Sequence, residues 1–180
     1  MWPITVRKMA ISDLTYKVVA FSEISHFNTD ECIDWAFEMV SLGYETPSLL
    51  ILAGLNKPSN YFQTLEYFNQ ALAELKIKNK SGKEAVLSYS IYLVKKIALD
   101  ERKKEYLTEL YHFCKAKDKE ELTYDFQLLY WAWGDLDYKN EQQSYWPGAT
   151  SDNIESIVKE TAVKWLMKNK EHFIKASELQ

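Results

Sequence analysis

Residues 126–146, FQLLYWAWGDLDYKNEQQSYW, are the stretch from which the rest of the chain is best interpreted. The stretch begins in an apolar helix and passes through Gly134, where we expect that helix to end because glycine favours helix termini. An acidic segment follows, closed by residues 146–148, Trp-Pro-Gly. Three of the six tryptophans lie in the stretch. We therefore expect its rings either to pack on the core or to face a partner.

Apolar residues on both sides of this stretch recur at the helical period. The clearest series is spaced by three or four positions, which predicts an amphipathic helix; it comprises Tyr61, Leu65, Phe68, Leu72 and Leu75. No segment alternates convincingly at period two, and five glycines and four prolines in 180 residues favour long elements joined by short turns. The sequence thus predicts an all-α fold: a single compact irregular bundle of about seven helices over residues 1–180, with a lead-in at 1–10 and a tail at 171–180 that fray.

Three local expectations follow from the same patterns. A helix is expected over residues 13–25 after Ser12, and residues 49–53 are apolar on all sides, which predicts a short helix buried in the centre. The helix over residues 85–99 carries few charges and should be the most enclosed long helix. Helix pairing of the HEAT kind is an alternative to a bundle. The candidate pairs start near residues 30, 61 and 103, however, which is too uneven for a true repeat array.

Charge is unevenly distributed along the chain, whose formal net charge is −4. Residues 76–119 hold twelve Lys/Arg against six Asp/Glu, and residues 120–156 hold eight Asp/Glu against one Lys. In one interpretation these charges belong to ordinary solvated helix faces. In the other, the acidic part attracts a basic partner by electrostatic steering. The basic part carries no recognisable nucleic-acid module, so no nucleic-acid partner is predicted.

Cysteine and hydropathy patterns indicate where the chain functions. Cys32 and Cys114 lie on predicted helices among apolar residues, as buried thiols do in a reducing compartment. The longest apolar run, residues 49–55, is too short to span a bilayer, and the first residues lack the core of a signal peptide. We therefore expect a soluble, cytoplasmic protein with no membrane partner.

The motifs that would indicate chemistry are missing from the sequence. The run Asp135-Leu136-Asp137 begins like a calcium loop, but Lys139 takes the fifth position and Trp146 takes the place of the bidentate glutamate. No phosphate-binding glycine loop and no nucleophile elbow occur. No metal, cofactor or catalytic residue is therefore predicted.

Residues 131–146 remain as the candidate binding region. In one interpretation Trp131 and Trp133 cap the helix and the loop folds back over the core, while in the other the loop presents an acidic, aromatic patch to a partner. Rings contribute large contact areas at low entropic cost, and carboxylates pair with Arg or Lys of a partner. The predicted partner-binding residues are Asp135, Asp137, Tyr138, Glu141 and Tyr145.

Three segments resemble a known group of proteins. They are DWAFEMVSLGYETPSLLILAGL (34–55), YDFQLLYWAWGDLDY (124–138) and QQSYWPGATSDNIESIVKETAVKWL (142–166). Similar stretches occur in small uncharacterised bacterial all-helical proteins that resemble immunity proteins, the inhibitors of polymorphic toxins. The resemblance covers about two-thirds of the chain in style and includes no functional motif. It implies a cytoplasmic, non-enzymatic inhibitor that binds its toxin by occlusion.

Three hypotheses about function follow. The first is an immunity-type inhibitor that occludes a basic toxin domain through the acidic, aromatic loop. The second is a helical scaffold or adaptor, which predicts a concave groove between helices as the contact surface. The third is an enzyme of unrecognised type, which requires a deep pocket with several titratable groups of shifted pKa.

Overall fold

The computed structural model describes residues 10–99, 102–138 and 142–179, and within these ranges the chain is all-α. It contains eight α-helices, four short 3₁₀ helices and no strand in this described part. The α-helices are α1 Leu14–Val18, α2 Asp30–Ser41, α3 Pro47–Ala53, α4 Tyr61–Glu74, α5 Gly82–Leu99, α6 Lys103–Ala116, α7 Tyr124–Tyr138 and α8 Ile154–Lys168. The predicted all-helical fold class is confirmed.

The chain divides into two compact units. The first comprises residues 1–80 and 173–180 and contains α1 to α4, and the second comprises residues 81–172 and contains α5 to α8. The single domain predicted over residues 1–180 stays a prediction. The predicted lead-in at 1–10 lies outside the described residues except for Ala10.

Trp35 lies at the centre of the core of unit 1. Its ring is fully buried in α2, and its Nε1 donates a hydrogen bond to the Thr15 hydroxyl at 2.9 Å. Its ring also meets Phe68 of α4 edge-on, with centroids 5.4 Å apart. Because a buried indole N–H without an acceptor would destabilise the fold, Thr15 fixes how α1 packs on α2.

Local residues fix some of the helix ends in unit 1. The Asn60 side chain accepts a hydrogen bond from the Gln63 N–H at 3.0 Å, and Gly43 after α2 has a φ of 96°. Ser48 at the start of α3 donates its N–H and hydroxyl to Glu74 at 3.0 and 2.7 Å. Burial opposes ionisation of Glu74, but these hydrogen bonds from Ser48 favour the ionised form, and the pKa of the carboxyl group is lowered.

Two predicted helices of unit 1 differ from the structure. The helix expected over residues 13–25 ends at Val18, and a 3₁₀ turn follows at 21–23. Val18, Val19 and Ala20 are all fully buried, and a straight helix cannot bury three consecutive side chains on one side. In α3, Leu49 and Leu52 are buried while Leu50 and Ile51 are nearly half exposed, because a helix this short meets its neighbours on one side.

The C-terminal segment belongs to unit 1. Where a frayed tail is expected beyond Lys170, Ile174 and Leu179 pack against the core of unit 1. The Ile174 N–H donates to the Tyr16 hydroxyl at 3.1 Å, and the rings of Tyr16 and Phe173 meet edge-on. Apolar side chains of the tail thus find partners that the sequence pattern did not indicate.

Unit 2 is built around α5, which packs against α6 and α8. Ten of its eighteen residues are buried, so the predicted enclosure of this helix is confirmed. Ser90 of α5 and Cys114 of α6 share a buried contact of 3.5 Å between hydroxyl and thiol. Helix α7 packs against α6 and α8, and Trp165 of α8 donates its ring N–H to the Leu122 carbonyl at 3.0 Å.

Candidate functional site

Helix α7 continues through Gly134 to Tyr138. The prediction that Gly134 ends the helix is therefore wrong, and Asp135, Asp137 and Tyr138 lie on a helix rather than in a loop. A glycine inside a helix costs only about 1 kcal/mol relative to alanine. Leu136 is 4% exposed, so its burial on the inner side stabilises the turn that follows the glycine.

The two sides of α7 are both rich in apolar residues. Phe126, Leu129, Ala132 and Leu136 are buried. On the opposite side three rings follow one another at seven-residue intervals: Tyr124 is 58% exposed, Trp131 41% and Tyr138 89%. Residues seven apart lie on one helix face. The outer face of α7 is defined here as Tyr124, Gln127, Leu128, Trp131, Gly134, Asp135 and Tyr138.

A groove of about 400 Å³ lies between α6 and α7, at the C-terminal half of the outer face. Rings from α7 and Leu107 from α6 make most of its walls apolar, and its charged lining residues are Lys104 and Asp135. This α6–α7 groove is lined by Lys104, Leu107, Thr108, Tyr130, Trp131, Trp133, Gly134, Asp135 and Tyr138.

Lys104 connects the two helices that form the groove. Its ammonium group forms an ion pair with Asp137 and lies 5.9 Å from the centroid of the Trp133 ring. Both charged side chains are about half exposed, so the pair is screened by solvent and stabilises the fold only slightly. Its main effect is to neutralise one of the two aspartates in the last turn of α7.

A second hollow of about 670 Å³ adjoins the groove and shares Lys104, Thr108 and Trp133 with it. Charges of both signs line this hollow. The Lys103 ammonium bonds to Glu155 at 3.0 Å beside it. Its lining residues are Arg102, Lys104, Glu105, Thr108, Glu109, Trp133 and Glu155.

Stacked rings support the groove from the side of α6. Tyr111 of α6 and Tyr130 of α7 stack with centroids 4.0 Å apart and planes 10° from parallel. Trp131 meets Tyr111 edge-on at 5.6 Å, which limits how far the indole can turn. Because offset and edge-to-face ring pairs favour defined geometries, the wall of the groove is held in place before any partner binds.

Gln143 organises the segment that follows α7. Its side-chain carbonyl accepts the N–H groups of Tyr145 and Trp146 at 2.9 and 2.8 Å. Its amide donates to the carbonyls of Trp146 and Ala149 at 2.6 and 3.2 Å. This turn brings the Tyr145 ring within 6.2 Å of Trp131, so the segment extends the aromatic surface of α7.

The predicted partner-binding residues fall around one place where the structure describes them. Asp135 and Tyr138 line the groove, Asp137 pairs with Lys104, and Tyr145 lies beside Trp131. Glu141 lies outside the described residues.

Sequence reasoning missed the side of the groove that α6 provides. Lys104 and Thr108 are four residues apart, with Leu107 between them, so the three lie on one side of α6. That spacing is the signal the sequence offers. It does not indicate which helix those residues meet.

Six groups with an altered pKa lie away from both hollows. Burial raises the pKa of the Cys32 thiol to about 12 and also raises the pKa of the Cys114 thiol. The pKa values of Tyr16, Asp30, Tyr44 and Glu74 also depart from their ordinary values. None of these six lines the groove or the adjoining hollow. Within the described ranges, no three His, Cys, Asp or Glu side chains are placed to hold a metal ion.

Of the helices that the structure describes, none combines the length and the apolar composition that crossing a bilayer requires.

Comparisons with known proteins give no relative for this site. No protein-family model, curated protein or solved structure matches the chain significantly.

Proposed function

We propose that this chain is a non-enzymatic protein-binding module that captures a basic partner on the outer face of α7 and in the adjoining α6–α7 groove. The observation that carries the proposal is the exposed series of Tyr124, Trp131 and Tyr138 on a helix whose opposite side is already buried. A helix that is apolar on both sides is normally enclosed on both sides. A partner that covers the outer face would complete that enclosure.

The composition of this surface suits a protein rather than a small polar metabolite. Tyrosine and tryptophan dominate the energetic centres of protein interfaces, because they bring large apolar areas with few rotatable bonds. The exposed rings extend along α7 from Tyr124 to Tyr138, which is well beyond the groove itself. A partner that contacts all three rings must be long enough to span this length of α7.

The proposal of a non-enzymatic function rests on where the titratable groups lie. An active site usually gathers groups of shifted pKa in one cleft. Here the two cysteines with raised pKa are buried in the cores of different units, at Cys32 and Cys114. Four of the nine residues that line the groove are aromatic, and the lining holds one cation and one carboxylate. Such a lining suits recognition better than proton transfer.

The narrower form of the proposal is an immunity-type inhibitor of a basic toxin domain. Its support is the resemblance of three sequence segments to such proteins, together with the charge of α7. That helix contains three aspartates and no lysine, arginine or histidine. Attraction between opposite charges accelerates association with a basic partner, which is useful to an inhibitor that must act quickly.

A helical adaptor is the second candidate, and the concave α6–α7 groove favours it. Asp135 and Tyr138 belong to both the exposed helix face and the groove. The shape of the contact surface therefore does not separate an inhibitor from an adaptor. Their effects on the partner do, because an inhibitor abolishes the partner's activity whereas an adaptor leaves it intact.

The test begins with the product of the adjacent gene, co-expressed and purified with this chain. We expect a complex that loses affinity by about 30-fold or more when Asp135 and Asp137 are both changed to Lys, since interface charge reversals cost about 2 kcal/mol or more. Glu160→Lys, an exposed reversal on α8, is the matched control and should bind normally. Titration calorimetry measures both, and thermal unfolding confirms that each variant folds.

Unchanged affinity in the doubly reversed variant would remove the proposed surface. If the complex forms, an assay of the partner's toxicity in growing cells separates the two candidates. Rescue of growth by the wild-type chain, and its loss in the reversed variant, supports the inhibitor. Persistent toxicity in the presence of a stable complex supports the adaptor.

A further inference from the structure

The seven-residue spacing of the rings on the outer face of α7 matches the seven-residue repeat at which two packed helices meet. Tyr124, Trp131 and Tyr138 are spaced by seven residues over fourteen positions, which correspond to about 21 Å along the axis. Two helices that pack with a small crossing angle meet every seven residues, because each side chain inserts between those of the neighbour. An extended strand has a repeat of two residues and cannot follow this series.

A notch interrupts the aromatic series at Gly134. A Cβ atom placed on Gly134 would meet no atom within 4 Å, so the surface is open above the backbone there. Trp131 precedes Gly134 by three positions and Tyr138 follows by four, so the two rings flank the notch on the same face. A long side chain from a partner helix can enter between the two rings and approach the backbone of α7.

Charge determines which side chain suits the notch. Asp135 lies next to it on the outer face, and the last turn of α7 carries Asp135 and Asp137 but no basic residue. The C-terminal end of a helix carries a partial negative charge and favours cations. Lys104 supplies a cation to Asp137, and a carboxylate such as Asp135 can accept several donors at once.

We infer that the segment of the partner that binds this face is an amphipathic helix of about four turns, which inserts an arginine or lysine between Trp131 and Tyr138 beside Asp135. The inference rests on the proposed function and adds the chemistry of the occupant. Arginine fits best, because its planar guanidinium stacks on aromatic rings and pairs with a carboxylate at the same time. The apolar neighbours of that arginine then cover Trp131 and Tyr124.

A second copy of this chain is a poorer occupant. The charged residue of the defined outer face is Asp135, so two outer faces packed on one another would add carboxylates and supply no cation to the notch. Like charges across an interface oppose association. A basic helix of another protein meets the same rings without that repulsion.

The experiment uses a displayed library of 18-residue peptides on a helical framework, with one face randomised. The library is selected on the wild-type protein and depleted on Gly134→Leu, whose Cβ meets no atom within 4 Å and whose longer side chain occupies the notch. We expect the selected peptides to share an arginine or lysine with apolar residues three or four positions away. Their affinity should fall at least 10-fold in Gly134→Leu and in Asp135→Lys, and remain unchanged in Glu160→Lys.

Several results would overturn the inference. One is selected peptides without a basic residue; another is peptides that tolerate a proline at their centre and so bind without a helix. Failure to select any peptide that distinguishes wild type from Gly134→Leu counts equally against it. Concentration-dependent dimers in analytical ultracentrifugation that Gly134→Leu abolishes would make a second copy the occupant.

Failure of this inference differs from failure of the proposed function. The natural complex can be measured with two variants, Trp131→Ala and Gly134→Leu. If Trp131→Ala weakens it and Gly134→Leu does not, the surface is correct and the inserted basic side chain is wrong. If neither variant changes the affinity, the proposed surface fails as well.

Discussion

Helices α5 and α7 of unit 2 both carry apolar residues around most of their circumference, yet they differ in burial. Ten of the eighteen residues of α5 are buried, compared with four of the fifteen residues of α7. Helix α5 packs against the two helices α6 and α8, and its apolar residues other than Leu99 are buried or half-buried. The second apolar side of α7 is exposed instead. An all-round apolar pattern thus predicts burial only where neighbours cover both sides.

The strongest test of this difference uses two aromatic residues of α7 on opposite sides. Phe126→Ala removes a fully buried ring and should lower the free energy of unfolding by about 3–5 kcal/mol. Tyr138→Ala removes a ring that is 89% exposed and should change it by no more than about 0.5 kcal/mol. Urea denaturation followed by circular dichroism measures both values. Equal losses in the two variants would mean that the outer face is packed and unavailable to a partner.

The enclosure of α5 predicts that the stability of the protein depends on pH through Cys114, which contacts Ser90 of α5. Burial raises the pKa of this thiol above its ordinary value of 9.0. Above about pH 9 the unfolded chain therefore releases a proton that the folded protein keeps. The stability that depends on this proton is fully present below pH 9, and it is lost as the pH rises through the pKa of the folded protein.

Cys114→Ala removes this contribution without removing the thiol of Cys32, whose pKa is also raised. We expect the free energy of unfolding to decline less steeply between about pH 8 and 10 in Cys114→Ala than in wild type. Urea midpoints at several pH values provide the comparison. Parallel curves for the two proteins would show that the thiol is not enclosed between α5 and α6.

The sequence predicted what depends on local chemistry. The all-helical fold class and the enclosure of α5 follow from residue type and spacing, which act within a few turns. The shortened α1 and the half-exposed α3 did not follow, because they depend on which neighbours are present. The burial of a helix face is a property of the packed unit, so period and composition alone cannot provide it.

The candidate site shows the same limit. Asp135, Asp137, Tyr138 and Tyr145 could be identified from composition, and the structure places them around one groove or beside it. The continuation of α7 past Gly134 could not be predicted from the sequence, because a glycine weakens a helix by an amount that the burial of one leucine offsets. The packing of α6 against α7, which brings Lys104 to Asp137, could not be predicted either, because neither segment indicates which helix it packs against.

Gly134 offers a smaller test, which sharpens the contrast between the two sides of α7. The position is helical, its φ is not positive, and a new Cβ would enter open space. Gly134→Ala should therefore stabilise the protein by roughly 0.5–1 kcal/mol, because alanine loses less backbone entropy in a helix. Gly148, with a φ of 80°, is the matched control. Gly148→Ala should destabilise by about 1–2 kcal/mol, and thermal and urea unfolding measure both signs.

The smallest expected effect concerns the ion pair of Lys104 and Asp137 at the edge of the outer face. A double-mutant cycle with Lys104→Met and Asp137→Asn should give a coupling energy of about 0.2–1 kcal/mol that decreases as salt is added, since both side chains are about half exposed. A coupling well above about 1 kcal/mol would place the pair in an enclosed environment and make α7 resemble α5. A value near the expected one leaves the charge of Asp137 balanced by Lys104 at little energetic cost. Asp135 lies beside Gly134 in the lining of the groove, where the basic side chain of a peptide would approach it. The affinity of the selected peptides should then be more sensitive to Asp135→Asn than to Asp137→Asn.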